Sequence, residues 1–126
     1  MIIPLVNLAR QNSIYEKDYL QAIKQVIRKA DFILGQKVAD FENQFAKFCH
    51  KKYCVGVNSG TDALFLGLKA YGIGKGDEVI IPPNTFFATA EAVENTGAKV
   101  VFADVLENTF TIDPNQITKH IHLKQK

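Results

Sequence analysis

Between Tyr15 and Ala30 the apolar residues Leu20, Ile23, Ile27 and Ala30 recur at steps of three and four, with Lys17, Lys24, Arg28 and Lys29 between them. This spacing predicts an amphipathic helix. After the break at Asp31-Phe32-Ile33-Leu34-Gly35, the residues Val38, Phe41, Phe45 and Phe48 repeat the pattern over a second helix that ends near His50-Lys51-Lys52. Four large apolar groups on one stripe predict a packed partner for that helix.

The pattern then changes. Tyr53-Cys54-Val55-Gly56-Val57 is a short run suited to a buried strand, and Asn58-Ser59-Gly60-Thr61 leads at once into a helical stretch from Asp62 to Tyr71. Gly72, Gly74 and Gly76 stop that helix, and Glu78-Val79-Ile80-Ile81 predicts a second strand. Pro82-Pro83-Asn84 turns into a third helical segment near Thr85 to Asn95, which Thr96-Gly97 closes, and Lys99-Val100-Val101-Phe102-Ala103 supplies a further strand. The expected order from Tyr53 is β-α-β-α-β, with crossovers long enough for parallel pairing, so the class is α/β. Beyond Asp104 the pattern weakens: Asp113-Pro114 predicts a short helix through Ile117, and the segment from His120 to Lys126 has no period. The chain therefore divides into an amino-terminal helical segment, 1–52, and a β-α-β-α-β portion, 53–126, without repeats or low-complexity stretches.

Composition narrows the function classes more than the fold. Of the 126 residues, 47% are hydrophobic, which suits a globular domain. The net charge of +2 comes from 15 basic and 13 acidic residues scattered along the chain, leaving no stripe for nucleic acid or acidic lipid. The opening Met1-Ile2-Ile3-Pro4-Leu5-Val6 lacks the basic region and cleavage site of a signal peptide. No apolar run reaches the roughly 20 residues needed to span a bilayer. Cys49 and Cys54 accompany no secretory feature, so a cytoplasmic, reduced setting is expected.

The segment Asn58-Ser59-Gly60-Thr61-Asp62-Ala63-Leu64, after a strand and opening a helix, would offer free backbone N–H groups and hydroxyls around a glycine that permits close approach. Those are the requirements for holding a phosphate. The same letters also satisfy a plain capping box, since Ser59 and Asp62 have S-x-x-D spacing, and an Asp62 carboxylate aimed into the site would repel an anion. Pro82-Pro83-Asn84-Thr85-Phe86-Phe87-Ala88-Thr89 lies at the carboxyl end of a predicted strand, where parallel sheets bind ligands. An aromatic ring there would stack on a flat cofactor; alternatively Phe86 and Phe87 are core residues at a helix start. Gly72-Ile73-Gly74-Lys75-Gly76 follows a helix and precedes a strand, the reverse of a dinucleotide loop, and reads as a helix stop and turn. Cys49, His50, Cys54, His120 and His122 lack zinc-site spacing, and no Gly-x-Ser-x-Gly elbow is present, so metal binding and hydrolase chemistry have little support.

Six stretches, taken in order, resemble the DegT family of nucleotide-sugar aminotransferases. They are Ile3 to Leu8, Phe32 to Gly35, Asn58 to Leu64, Gly72 to Ile80, Asn84 to Thr89, and Ile112-Asp113-Pro114. The resemblance implies part of the large domain of a fold-type I transferase dependent on pyridoxal 5'-phosphate, with a mostly parallel central sheet and flanking helices. It implies that Gly60 and Thr61 contact the cofactor phosphate, that the Asp62 backbone assists, and that the Phe86 ring stacks on the pyridine. Glutamate would give its amino group to a nucleotide-linked keto sugar in deoxyamino sugar biosynthesis, as for lipopolysaccharide or O-antigen, in a cytoplasmic homodimer. The wording around Asn84-Thr85-Phe86 is most similar to enzymes forming dTDP-linked 3-amino-3,6-dideoxyhexoses.

In this family the Schiff-base lysine and the aspartate that pairs with the pyridine nitrogen come later than the matched stretches. Lys119, Lys124 and Lys126 do not occupy that place, so the chain is expected to be truncated before its catalytic lysine and inactive alone. Self-association is expected from exposed strand edges. Two other classes stay open: a noncatalytic α/β module that binds some phosphorylated ligand through residues 58–62, and a sugar dehydratase of the same family.

Overall fold

The computed structural model describes residues 3–121, and His122, Lys124 and Lys126 fall outside them. The chain falls into two compact units, divided between Gly56 and Val57.

The first unit holds two helices, α1 (Leu8–Lys29) and α2 (Gln36–Phe48). Helix α1 begins seven residues before the apolar period does. A cap sets its start: the Asn7 side chain accepts a hydrogen bond of 3.0 Å from the Arg10 N–H. At its end Ala30 turns left-handed (φ 52°), and Ala30 and Asp31 donate to the carbonyls of Ile27 and Val26. Asp31 then opens α2, its Oδ2 accepting from the Gln36 N–H at 2.8 Å. The Gly35 between them has an ordinary φ of −78°. A Cβ there would lie 2.5 Å from the Asp31 carboxyl carbon and 2.6 Å from the Asp31 backbone oxygen.

The partner expected for the α2 stripe is absent among the described residues. Phe41 and Phe45 stack at 5.5 Å between ring centroids, and Phe45 and Phe48 lie 6.2 Å apart, yet all three stay exposed. The run Tyr53 to Val57 is likewise not a strand. A strand exists only through a neighbour's backbone, and no backbone hydrogen bond to another described segment is made by this run; Gly56 N–H instead donates to the Glu42 side chain, at 2.7 Å from Oε1. Cys54 is accordingly half-buried rather than buried.

The second unit contains α3 (Gly60–Ala70), β1 (Glu78–Ile81), α4 (Phe87–Thr96), β2 (Lys99–Phe102) and α5 (Pro114–His120). The two strands pair in parallel, Glu78 opposite Lys99 through Ile81 opposite Phe102, with α4 as the crossover. The α/β class is therefore present with two of its three expected strands. Ile81, Val93 and Ala98 form the core, flanked by Leu68, Ile73, Val79, Ala90 and Val100. Along α4 the buried residues Ala88, Ala92 and Thr96 recur every fourth position, and their small side chains let α3 and both strands approach closely. Buried Thr96 is satisfied, its Oγ1 donating to the Val93 carbonyl at 2.7 Å and accepting from the Ala98 N–H at 3.2 Å. Gly97, at φ 88°, ends α4 in the left-handed conformation that glycine adopts without strain.

Helix α4 starts two residues later than its pattern predicts, because Thr85 remains in the turn after Pro82 and its Oγ1 meets Thr89 Oγ1 at 2.8 Å. Helix α5 runs three residues past Ile117, opened by Asp113 Oδ1 accepting from the Asn115 N–H at 2.8 Å. No helix among the described residues is long and apolar enough to cross a membrane.

Candidate functional site

The direction of the helices brings the sequence-predicted residues to one edge. Gly74, four residues past α3, approaches the Thr96 carbonyl, and Gly97 lies against Lys75, so the carboxyl ends of α3 and α4 are side by side. The two helices also pack on each other. At 11 and 10 residues they have nearly equal length, so their amino ends, Gly60 and Phe87, face the same side of the unit. Phe86 leaves the carboxyl end of β1, and the loop from Ala103 to Asp113 leaves the same end of β2, because the strands are parallel. This is the edge at which open parallel sheets bind ligands.

At the start of α3 the capping box is formed. Ser59 Oγ accepts from the Asp62 N–H at 3.0 Å and donates to Asp62 Oδ2 at 3.0 Å. The cap and an anion site do not compete. A helix start exposes several N–H groups, the cap engages one, and those of Gly60 and Thr61 have no partner among the described residues. The Asp62 backbone, expected to assist a phosphate, is the donor already taken by Ser59; Asp62 instead orders the turn, its carboxylate turned to the Ser59 hydroxyl. Around Gly60 a Cβ would meet nothing within 4 Å, so packing within this unit does not explain the glycine.

Phe86 is the cap residue of α4 and is 81% exposed, with Phe87 at 74%. Neither belongs to the core of this unit. The turn that carries Phe86 is fixed in two ways. Thr85 N–H reaches back to the Pro82 carbonyl at 3.5 Å, and Asn84 Nδ2 donates to the Phe110 carbonyl at 3.0 Å. Phe110 sits at φ 56° in a loop closed by an antiparallel bridge between Val105 and Ile112 and by Leu106 N–H to the Thr111 carbonyl at 2.9 Å. The Asn84 contact spans 26 positions and has no sequence period, so the residue pattern carried no sign of it beyond an Asn in a Pro-Pro-Asn turn. Concave surfaces lined by Ala9, Asn12, Glu16 and Tyr19, and by Gln25, Asp31 and Asp40, lie on the first unit's helices and contain none of these residues. No group of three or more metal-ligating side chains occurs among the described residues.

A parallel β-α-β unit with two unengaged N–H groups at a helix start and an exposed ring after the carboxyl end of its first strand defines a protein of the α/β class. Comparison with known proteins makes this specific. The family model described as the DegT/DnrJ/EryC1/StrS aminotransferase family matches residues 13–126, and the chain belongs to that family. It is 43% identical over 125 residues to a dTDP-3-amino-3,6-dideoxy-alpha-D-galactopyranose transaminase from Aneurinibacillus thermoaerophilus, covering 99% of this chain and 34% of that protein. The crystal structure of DesV from S. venezuelae superposes with a TM-score of 0.94 at 37% identity, over 98% of this chain and 33% of DesV. NtdA from Bacillus subtilis, with bound cofactor PMP, superposes with a TM-score of 0.92 at 34% identity, over 98% of this chain and 29% of NtdA. The chain thus spans about a third of the length of the curated relatives it matches. Its fold is that of part of the large domain of fold-type I aminotransferases.

Proposed function

We propose that this chain supplies the phosphate-gripping and ring-covering part of a site for pyridoxal 5'-phosphate, in an enzyme that transfers an amino group from glutamate to a nucleotide-linked keto sugar. The carrying observation is the shared edge: the unengaged N–H groups of Gly60 and Thr61 open α3, exposed Phe86 caps α4, and the two helices start on the same side of the unit. The residues fit the coenzyme. Gly60 and Thr61 would donate to its phosphate, aided by the helix dipole of α3, while Ser59 and Asp62 keep that turn in shape. Phe86 would cover the pyridine face and exclude water from it. When bound, the coenzyme supplies the electron sink for moving the amino group.

The particular substrate follows the relatives: a dTDP-linked keto-dideoxyhexose, aminated at the sugar's C3, in a cytoplasmic homodimer that serves surface polysaccharide synthesis. Residues 53–126 act as the coenzyme-binding portion and 1–52 as a helical lead-in. Lys119, exposed in the last turn of α5 and bonded to Gln116 Oε1 at 3.1 Å, is a surface residue and not the group that would hold the coenzyme covalently. The 126-residue polypeptide is accordingly expected to show no glutamate-dependent turnover.

Titration of the purified chain with pyridoxal phosphate, beside simple nucleotides, tests the site. Binding of the coenzyme is expected, weakened on the order of tenfold by Gly60→Val and by Phe86→Ala. Equal affinity for nucleotides, or none for the coenzyme, would overturn the reading.

A further inference from the structure

We infer that Asn84 is a positioning residue, whose side-chain amide clamps the turn bearing Phe86 to the loop between β2 and α5 and so sets the plane of the Phe86 ring. The inference rests on the coenzyme reading above, and it deepens that reading by naming what holds the stacking ring in place.

The Phe86 backbone is anchored to α4 by its carbonyl, which accepts from the Thr89 N–H at 2.9 Å, but the turn before it is held less well. The Phe86 ring packs in no core, its residue is the cap of α4 without a side-chain cap bond, and the backbone bond from Thr85 to the Pro82 carbonyl, at 3.5 Å, is at the outer limit for such a contact. The Thr85 and Thr89 hydroxyls meet at 2.8 Å and tie the turn to α4 itself. Asn84 supplies the remaining constraint. Its Nδ2 donates to the Phe110 carbonyl at 3.0 Å, well within good hydrogen-bond range.

The acceptor is itself held. Phe110 N–H donates to the Leu106 carbonyl at 2.8 Å, Asp113 N–H donates to the Asp104 carbonyl at 2.9 Å, and the hydroxyls of Thr109 and Thr111 meet at 2.8 Å. Phe110 adopts a left-handed φ of 56°, a conformation a phenylalanine keeps only where its surroundings impose it. The loop therefore presents one fixed carbonyl to the turn. A fixed acceptor on one side and a two-proline turn on the other leave the Asn84 amide as the link that transmits the loop's order to residue 86.

The variants Asn84→Asp and Asn84→Ala separate this role from a general structural one. Aspartate keeps the shape and loses the donor. Two readouts apply to the purified chain: amide hydrogen exchange at residues 85–89, and the circular dichroism that a bound coenzyme acquires when a ring is stacked on it. Both variants are expected to speed exchange at Thr85 and Thr89, the two bonded amides of the turn, about two- to tenfold, the range one modest hydrogen bond gives, and to diminish the coenzyme's dichroism. Exchange within β1 and β2 should not change. If the native chain binds the coenzyme and both variants retain its dichroism and exchange rates, Asn84 has no positioning role while the coenzyme site stands. If the native chain does not bind the coenzyme, the site itself and this inference both fall.

Discussion

Helix α1 has 22 residues and buries none of them, whereas α4 has 10 and buries Ala88, Ala92, Val93 and Thr96. The longer helix is also the more amphipathic in sequence, so within this chain amphipathicity does not track burial. The contrast separates two sources of order. In the first unit, caps and spacing make helices. In the second, a parallel strand pair and its crossover bring residues distant in sequence onto one core. Local signals specify an element; only nonlocal pairing specifies its neighbours.

Three measurements would break or sharpen this contrast, each read from urea unfolding of the chain. The largest effect is expected for the two-unit test itself. Ile81→Ala, in the core and 5% exposed, should cost about 2–4 kcal/mol, while Phe45→Ala, 45% exposed on α2, should cost less than about 1 kcal/mol despite the larger side chain lost. Equal losses would show that the first unit's stripe is as well packed as the core. Next come the caps. Asn7→Ala and Ser59→Ala each remove one bond of 3.0 Å to a helix-start N–H, and each should lose about 1 kcal/mol, one in each unit, because a cap acts within its own turn. A much greater loss at Ser59 would mean that the start of α3 carries more of the unit than a cap does. The smallest effect is expected at Lys99, whose Nζ meets Glu78 Oε1 at 2.9 Å with its side chain 73% exposed. Lys99→Ala should change stability by no more than about 0.5 kcal/mol, since water and salt screen such pairs.

The same division explains what the residue pattern made legible. Helices α2 and α3 and strands β1 and β2 sit within two residues of where apolar spacing, glycine stops and turn residues place them. The start of α1 did not follow that spacing, because Asn7 caps a stretch, Leu8 to Ile14, whose apolar residues have no helical period. Tyr53 to Val57 has the composition of a strand, yet composition cannot provide the neighbouring backbone that makes one. At the candidate site, Gly60 and Phe86 could be singled out by motif and edge position. Whether the phenylalanines were core or surface could not, since an aromatic at a helix start suits either. Nor could the fate of the Asp62 N–H, which depends on a hydroxyl rotamer. The Asn84 clamp was invisible because its acceptor is a backbone carbonyl, and every residue has one.

The close approach at Gly35 limits what can vary there. Its φ would suit any amino acid, so the restriction is one of space, and shortening the Asp31 side chain would clear only part of it. The main-chain oxygen of Asp31 would still stand in the way of any β-carbon. A library that randomises positions 31 and 35 together should therefore return many residues at 31 and glycine almost alone at 35, unless the link between the first two helices is rebuilt with a different length.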